Sequence, residues 1–223
     1  MTEDDDAPAS DQSAPATPLL RNRDFLLFML CRTTNVVGVH ALTVAVGWHV
    51  YQISGDPVDL GLIGLAQFAP ALLLFLVAGI AADRYERRGI IVICNAVHVA
   101  AVGMLIALFQ ADAVAVGPVL AILVVHGAAR SFFHTTTQAI LPNLVSQQVF
   151  PRAIAFASSA NKGAQLLGPA LGGLLIAWLD HGAYVAILIA FVASGVASAM
   201  IGRRIKVMAP EPFSLATIAG GFN

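Results

Sequence analysis

Residues 79–89, Gly-Ile-Ala-Ala-Asp-Arg-Tyr-Glu-Arg-Arg-Gly, constrain the fold of this chain more than any other stretch. Five of them are charged (Asp83, Arg84, Glu86, Arg87 and Arg88), and each flank is an apolar run long enough to cross a bilayer. A central Arg or Lys costs about 2.5–3.5 kcal/mol to insert, so the cluster belongs in water or among headgroups. The runs beside it are therefore expected to be membrane spans. Composition agrees: 58% of the 223 residues are hydrophobic and 11% charged, where a soluble domain carries about 25% charge. The expected fold class is an all-α polytopic membrane protein.

A span needs about 20 mostly apolar residues, and six candidates follow along the chain: 25–52, 58–82, 90–110, 115–137, 152–178 and 182–202. Gly55-Asp56-Pro57 and Asp180-His181-Gly182 are turn signals between them. Pro118 suits the first turn of the fourth helix, where its missing N–H is not needed. The longest link, about 138–151, contains Pro142 and Ser146-Gln147-Gln148, and its segment 144–150 is expected to form a short interfacial helix. Residues 1–20 carry five acids (Glu3, Asp4, Asp5, Asp6 and Asp11), no base and no periodicity, which predicts a disordered acidic tail and not a signal peptide. A six-helix transmembrane bundle is expected over 21–207.

Lys and Arg mark the cytoplasmic side of a membrane protein. Of the 12 here, Arg21, Arg23, Arg84, Arg87, Arg88, Arg152, Arg203, Arg204 and Lys206 lie outside the spans or, for Arg152, at a span's first residue. With six spans, all of these fall on one side together with both termini. The opposite links carry Asp56, Asp59, Asp112 and Asp180 and no Lys or Arg. The expected location is the plasma (bacterial inner) membrane, with both termini cytoplasmic.

Arg32, Arg130 and Lys162 are the Lys and Arg inside spans, and no carboxylate lies at their depth. At least one is expected to face a wet cavity; for Arg32 the alternative is to reach the cytoplasmic surface along its own stem. Such a cavity would favour anionic or amphipathic molecules. His40, beside Asn35 at mid-depth of the first span, is the candidate for proton coupling, because imidazole titrates near neutral pH. His49, His98, His126 and His134 are expected to be packing or interfacial residues. Gly168-Pro169-x-x-Gly172-Gly173 combines close helix approach with a kink. Arg32 and Arg130 in spans one and four, and Pro70 and Pro169 in spans two and five, suggest a three-plus-three inverted repeat.

Gly79-x-x-Ala82-Asp83-Arg84-x-Glu86-Arg87-Arg88 resembles motif A of the major facilitator superfamily. Glu86 stands where the general motif has Gly, and Ala81 where it usually has Leu. The acid resembles the drug and siderophore exporter branch similar to the enterobactin exporter. Trp48-His49-Val50-Tyr51-Gln52 and Ala129-Arg130-Ser131-Phe132-Phe133 fit that branch, with Arg130 at the motif B arginine. Gly168-Pro169-x-x-Gly172-Gly173 resembles the core of the antiporter motif C, although Ala164 stands where that motif has glycine.

The resemblance runs from residue 21 to about 222 and implies the N-terminal six-helix half of a twelve-helix exporter. In it, residues 208–223 would begin the cytoplasmic linker between halves. Asp83 would meet a helix N-terminus of the other half, and Gly79 would let the backbones approach. The implied function is proton-coupled efflux of a small amphipathic or anionic compound, such as a drug or siderophore, by alternating access. The alternative is a truncated or non-transporting six-helix scaffold that needs a partner half. Expected partners are the lipid bilayer, a small-molecule substrate and a C-terminal half or a homodimer partner, with no nucleic acid. No cofactor or metal is expected, and Cys31 and Cys94 have no metal-ligand spacing. No enzyme is expected either: HExxH, P-loop and dinucleotide patterns are absent, and Val192 stands where an intramembrane serine protease needs glycine before Ser194.

Overall fold

The computed structural model describes residues 19–111 and 114–202. The acidic tail to residue 18, Asp112, the basic group Arg203, Arg204 and Lys206, and the segment 208–223 lie outside the described residues. Six α-helices follow one another: α1 (Arg23–Ser54), α2 (Pro57–Arg84), α3 (Arg87–Gln110), α4 (Val116–Leu144), α5 (Phe150–Leu179) and α6 (Ala183–Ala199). Single 3-10 turns lie at Leu19–Arg21 and Asp180–Gly182, and there is no strand among the described residues. Five helical stretches are long and apolar enough to cross a membrane: α1, α2, α3, α4 and the continuous stretch Phe150–Ala199.

Local signals account for the breaks. Asn22 caps α1 by accepting from the Phe25 N–H. Gly55 ends α1 at φ 65°, a conformation that costs glycine little, and its N–H reaches Tyr51 O at 2.9 Å. Asp56 then caps α2 through the Val58 N–H, with Pro57 in the first turn.

Tertiary contacts give the helices their directions. α2 runs against α1, because Thr43 meets Gln67 and Gly47 meets Leu60. α4 runs along α2, with Gly127 on Gln67 and Ser131 on Ala71. α3 opposes α4, through Arg87 on Ala139 and His98 beside His126. α5 runs along α1, with Gly168 on Val37 and Gly172 on Ala41. α6 opposes α1, as Tyr184 reaches His49, Ser194 reaches Cys31 and Gly202 reaches Asp24. The stretch Phe150–Ala199 therefore doubles back at Asp180 as a hairpin. The closely packed pairs are α2 with α4, α1 with α5, α1 with α6, α3 with α4 and α3 with α6.

One boundary differs from expectation. The link foreseen at 138–151 is occupied by two further turns of α4, which passes through Pro142 to Leu144. No separate helix forms at 144–150; the link shortens to 145–149. An internal proline costs about 3 kcal/mol, but Ile140, Leu141 and Leu144 are buried with Phe25, Phe28 and Ile91. Each such burial contributes about 1.5–3 kcal/mol, so packing wins. The Asn22 amide closes the end by donating to Leu144 O at 2.8 Å.

Two apolar clusters fill the bundle, one around Leu42, Leu105, Leu123 and Ile187, the other around Phe28, Ile91, Ile140 and Leu144. Between them lies a buried polar layer: Asn35, Asn95, His98, His126 and Ser194. Asn35 donates to Asn95 Oδ1 at 3.1 Å, and Asn95 to Ile91 O at 3.1 Å. The outer side of α2 exposes Leu65, Leu72, Leu73 and Leu76, a surface suited to lipid.

Candidate functional site: a cationic groove on the first, second, fourth and fifth helices

Four helices contribute one face each to a polar groove. On α1 the lining residues are Arg32, Asn35, Val36, Val39, His40 and Thr43, spaced as one side of a helix. On α4 they include Arg130, His134 and Gln138, each four residues after the last. α5 adds Asn161 and Gln165, and α2 adds Gly64, Gln67, Phe68, Ala71 and Phe75. The groove has two lobes, of about 190 Å³ beside α5 and about 620 Å³ beside α2, which share His40, Arg130 and His134.

Its walls are held by their own hydrogen bonds. Thr43 donates to Gln67 Oε1 at 3.0 Å, and Ser131 donates to Ala71 O at 3.1 Å. Arg32 and Arg130 are half-buried, and neither has a carboxylate within ion-pair distance among the described residues. The arrangement can bind an anionic or hydrogen-bond-accepting group between two guanidiniums, with the Phe68 and Phe75 rings on the side of the wider lobe.

The structure thus brings Arg32, Asn35, His40 and Arg130 together. It does not bring Lys162 with them: that side chain is exposed and lines neither lobe. One helical position turns a side chain by about 100°, and it is the neighbouring Asn161 that faces the groove. His134, Thr137, Asn161, Gln165, Gln67 and Gln138 were not anticipated. The four-residue spacing of Arg130, His134 and Gln138, and of Asn161 and Gln165, is the signal that could have found them.

The cluster at 79–89 is a two-residue link, Tyr85-Glu86, between α2 and α3. Three helices, α2, α4 and α6, end near here, and the arginines donate to carbonyls close to those ends. Arg87 donates to Ala82 O at 3.1 Å and to Ala139 O at 2.9 Å, and Arg88 donates to Ala199 O. Cations at helix C-termini also complement the macrodipole. Arg84 is in the last turn of α2, and Glu86 precedes α3 without a side-chain cap bond. Asp83 is 76% exposed and has only a loose contact with Arg87, at 3.9 Å. A Cβ added to Gly79 would meet nothing within 4 Å. These two residues, one turn apart, leave an open place for a neighbour.

In the glycine cluster of α5, two members are packed and one is not. A Cβ on Gly172 would come within 2.8 Å of Ala41 Cα and O, and one on Gly168 within 2.7 Å of His40 Cβ. Gly173 is exposed with nothing within 4 Å, and Pro169 lies half-buried inside the helix. Gly168 thereby sets the depth at which His40 meets the groove. Gly127, unnoticed in the sequence, does the same for α4, where an added Cβ would lie 2.5 Å from Gln67 O.

The chain is similar to known proteins. The family model described as transmembrane secretion effector matches residues 13–217. The multidrug efflux pump Tap of Mycolicibacterium fortuitum is 31% identical over 182 residues, which cover 74% of this chain and 44% of the pump. YfiS of Bacillus subtilis, an uncharacterized transporter of the major facilitator type, is 26% identical over 164 residues, covering 72% of this chain and 38% of its own length. The staphyloferrin A transporter of Staphylococcus aureus is 26% identical over 155 residues, covering 69% and 37%. The chain spans less than half the length of these curated relatives. It belongs to the transmembrane secretion effector family of the major facilitator superfamily, a class of multi-pass membrane transporters and not of enzymes.

Proposed function

We propose that this chain is the N-terminal six-helix bundle of an exporter, and that the groove is its share of the substrate cavity. The observation that carries the reading is the convergence of Arg32, Arg130 and His40 on one groove. Two guanidiniums without carboxylate partners among the described residues, beside Phe68 and Phe75, suit a small amphipathic or anionic compound. The relatives' names, a multidrug pump and a siderophore transporter, support export of that kind. Proton exchange through His40 drives the cycle, and Gly79 with Asp83 engages the other half as a gate. The bundle rocks against that half, a C-terminal bundle or a second copy, in alternating access.

Six crossings are supported by the hairpin at Asp180, and the inverted repeat by the packing pairs. Exchanging helices one, two and three with four, five and six turns α1 with α5 into α4 with α2, and α1 with α6 into α4 with α3. The set of close pairs is unchanged by the exchange. The basic end, with Arg84, Arg87, Arg88 and Arg152, is cytoplasmic in the bacterial inner membrane.

The test is dye transport in proteoliposomes. An imposed proton gradient should drive carboxyfluorescein, an amphipathic anion, in preference to the cation ethidium. Arg130→Gln should lower the anion rate by about tenfold or more, the loss of one charge-assisted contact of roughly 1.5–3 kcal/mol. Equal handling of both dyes, or transport indifferent to the gradient, would refute the reading. A second reading is a six-helix scaffold that transports nothing alone. Dye binding without dye movement would favour it.

A further inference from the structure

A second polar cluster lies at the opposite end of the bundle from residues 79–89. His49, near the end of α1, is 2% exposed, and Asp180 and His181 form the turn between α5 and α6. His49 Nε2 lies 3.1 Å from Asp180 Oδ1, and His181 Nδ1 lies 2.8 Å from Asp180 Oδ2. The imidazole centroids are 4.6 Å apart, and the ligand-capable atoms of the three residues fall within 4.8 Å of one another. Tyr184 and Phe109 wall the cluster on the bundle side, the Tyr184 hydroxyl 3.3 Å from His49 Nδ1.

The other nitrogen of His49 limits what can sit here. His49 Nδ1 is 2.9 Å from Ala45 O. A carbonyl oxygen only accepts, so Nδ1 carries the hydrogen. In the neutral ring, Nε2 then aims a bare lone pair at a carboxylate. Two lone pairs facing each other at that distance repel, so the gap calls for a proton or a metal cation. Holding the far N–H on a backbone carbonyl is also how metal-bound imidazoles are fixed in orientation.

Distances allow a cation, and access favours it. Donors about 2.0–2.2 Å from a shared ion, at bond angles of about 90–110°, lie roughly 2.8–3.6 Å from each other. The two contacts at the Asp180 carboxylate match that spacing. Two imidazoles converge on the two oxygens of one carboxylate, and Asp180 and His181 have side chains 63% and 55% exposed. An ion would have an entry path and room for water ligands. Asp180 is the one non-glycine residue at positive φ (48°) among the described residues, a conformation that persists only where the surroundings enforce it.

We propose that His49, Asp180 and His181 form a binding site for a divalent first-row transition ion of the Zn2+ kind, which ties the end of α1 to the α5–α6 turn. Mixed imidazole and carboxylate donors suit such an ion better than Mg2+ or Ca2+, which take oxygen donors. The site does not depend on the transport reading.

The experiment is calorimetric titration of the purified full chain in detergent with Zn2+, with Mg2+ as control. Wild type should bind one equivalent of Zn2+ saturably, give no heat with Mg2+, and unfold at a higher temperature with Zn2+ present. Asp180→Asn and His181→Ala should each weaken Zn2+ binding by about tenfold or more, and His49→Gln should abolish it. His181 is exposed, so its variant keeps the test open if the buried His49 variant fails to fold. Unchanged Zn2+ affinity in both exposed variants, or no saturable binding by wild type, means that the cluster holds protons alone and overturns the proposal.

Discussion

His98 and His126 stand side by side in the middle of the bundle, fully buried, with ring centroids 4.5 Å apart. None of their four ring nitrogens has a hydrogen-bond partner among the described residues. A buried polar group left unpaired costs about 1–3 kcal/mol, whereas an apolar ring or branch of similar size would pack against Phe133 and Phe191 without that cost. His126→Leu and His98→Phe should therefore fold and unfold at the same or a higher temperature, by thermal melt in detergent. A midpoint drop of the size of a core truncation would mean that the rings are paired in solution. At Asp83 the expectation is the reverse. The side chain holds little within this chain, so Asp83→Asn should leave membrane insertion and melting unchanged. On the gating proposal, it should abolish efflux by the complete transporter. Much of the site at this scale was legible, because a charge inside an apolar run has few explanations; Arg32 and Arg130 announced themselves. Neutral Asn161, Gln165 and Gln67 carry too small an insertion cost to stand out. The direction of Lys162 depends on the rotation of α5, which packing decides.

At the scale of helices, the glycines of α5 separate by a single residue. Gly172 faces the Ala41 backbone, which cannot move aside as a flexible side chain could. Overpacking of this kind costs about 1–3 kcal/mol, so Gly172→Ala should lower the melting midpoint and loosen α5 from α1. Gly173→Ala, on the exposed side, should raise stability by about 0.5–1 kcal/mol through helix propensity. Chemical denaturation of the two variants side by side checks both signs. Equal effects would mean that α5 is rotated from the orientation described. The sequence flagged both glycines as one motif, because spacing alone does not say which side meets a neighbour. It also stopped α4 too early, since the proline and amides at 142–148 are local signals. The force that overrode them, burial of Ile140 and Leu144 against α1 and α3, is non-local.

For the whole molecule, the charge pattern and the chain path lead to the same arrangement from independent directions. Arg84, Arg87, Arg88 and Arg152 gather where α2, α4 and α6 end, while Asp56, Asp59 and Asp180 lie at the other end. That sorting needs α5 and α6 to be separate crossings. If the stretch Phe150–Ala199 crossed only once, the 3-10 turn at Asp180–Gly182 would lie within the bilayer, with Asp180 and His181 in hydrocarbon at a cost of several kcal/mol. Cysteine accessibility in intact cells decides between the two. The native Cys31 and Cys94 are buried and free, and both can be replaced by alanine to give a silent background. Single cysteines at positions 56 and 181 should then react with an impermeant maleimide added outside. Cysteines at positions 84 and 147 should react only after the membrane is opened. Protection of position 181 from both sides would reduce the bundle to five crossings and place residues 56 and 199 on the same side of the membrane. α6 would then end in the opposite compartment from Arg84, Arg87, Arg88 and Arg152, and the assignment of the groove to the N-terminal half of an exporter would fail with it.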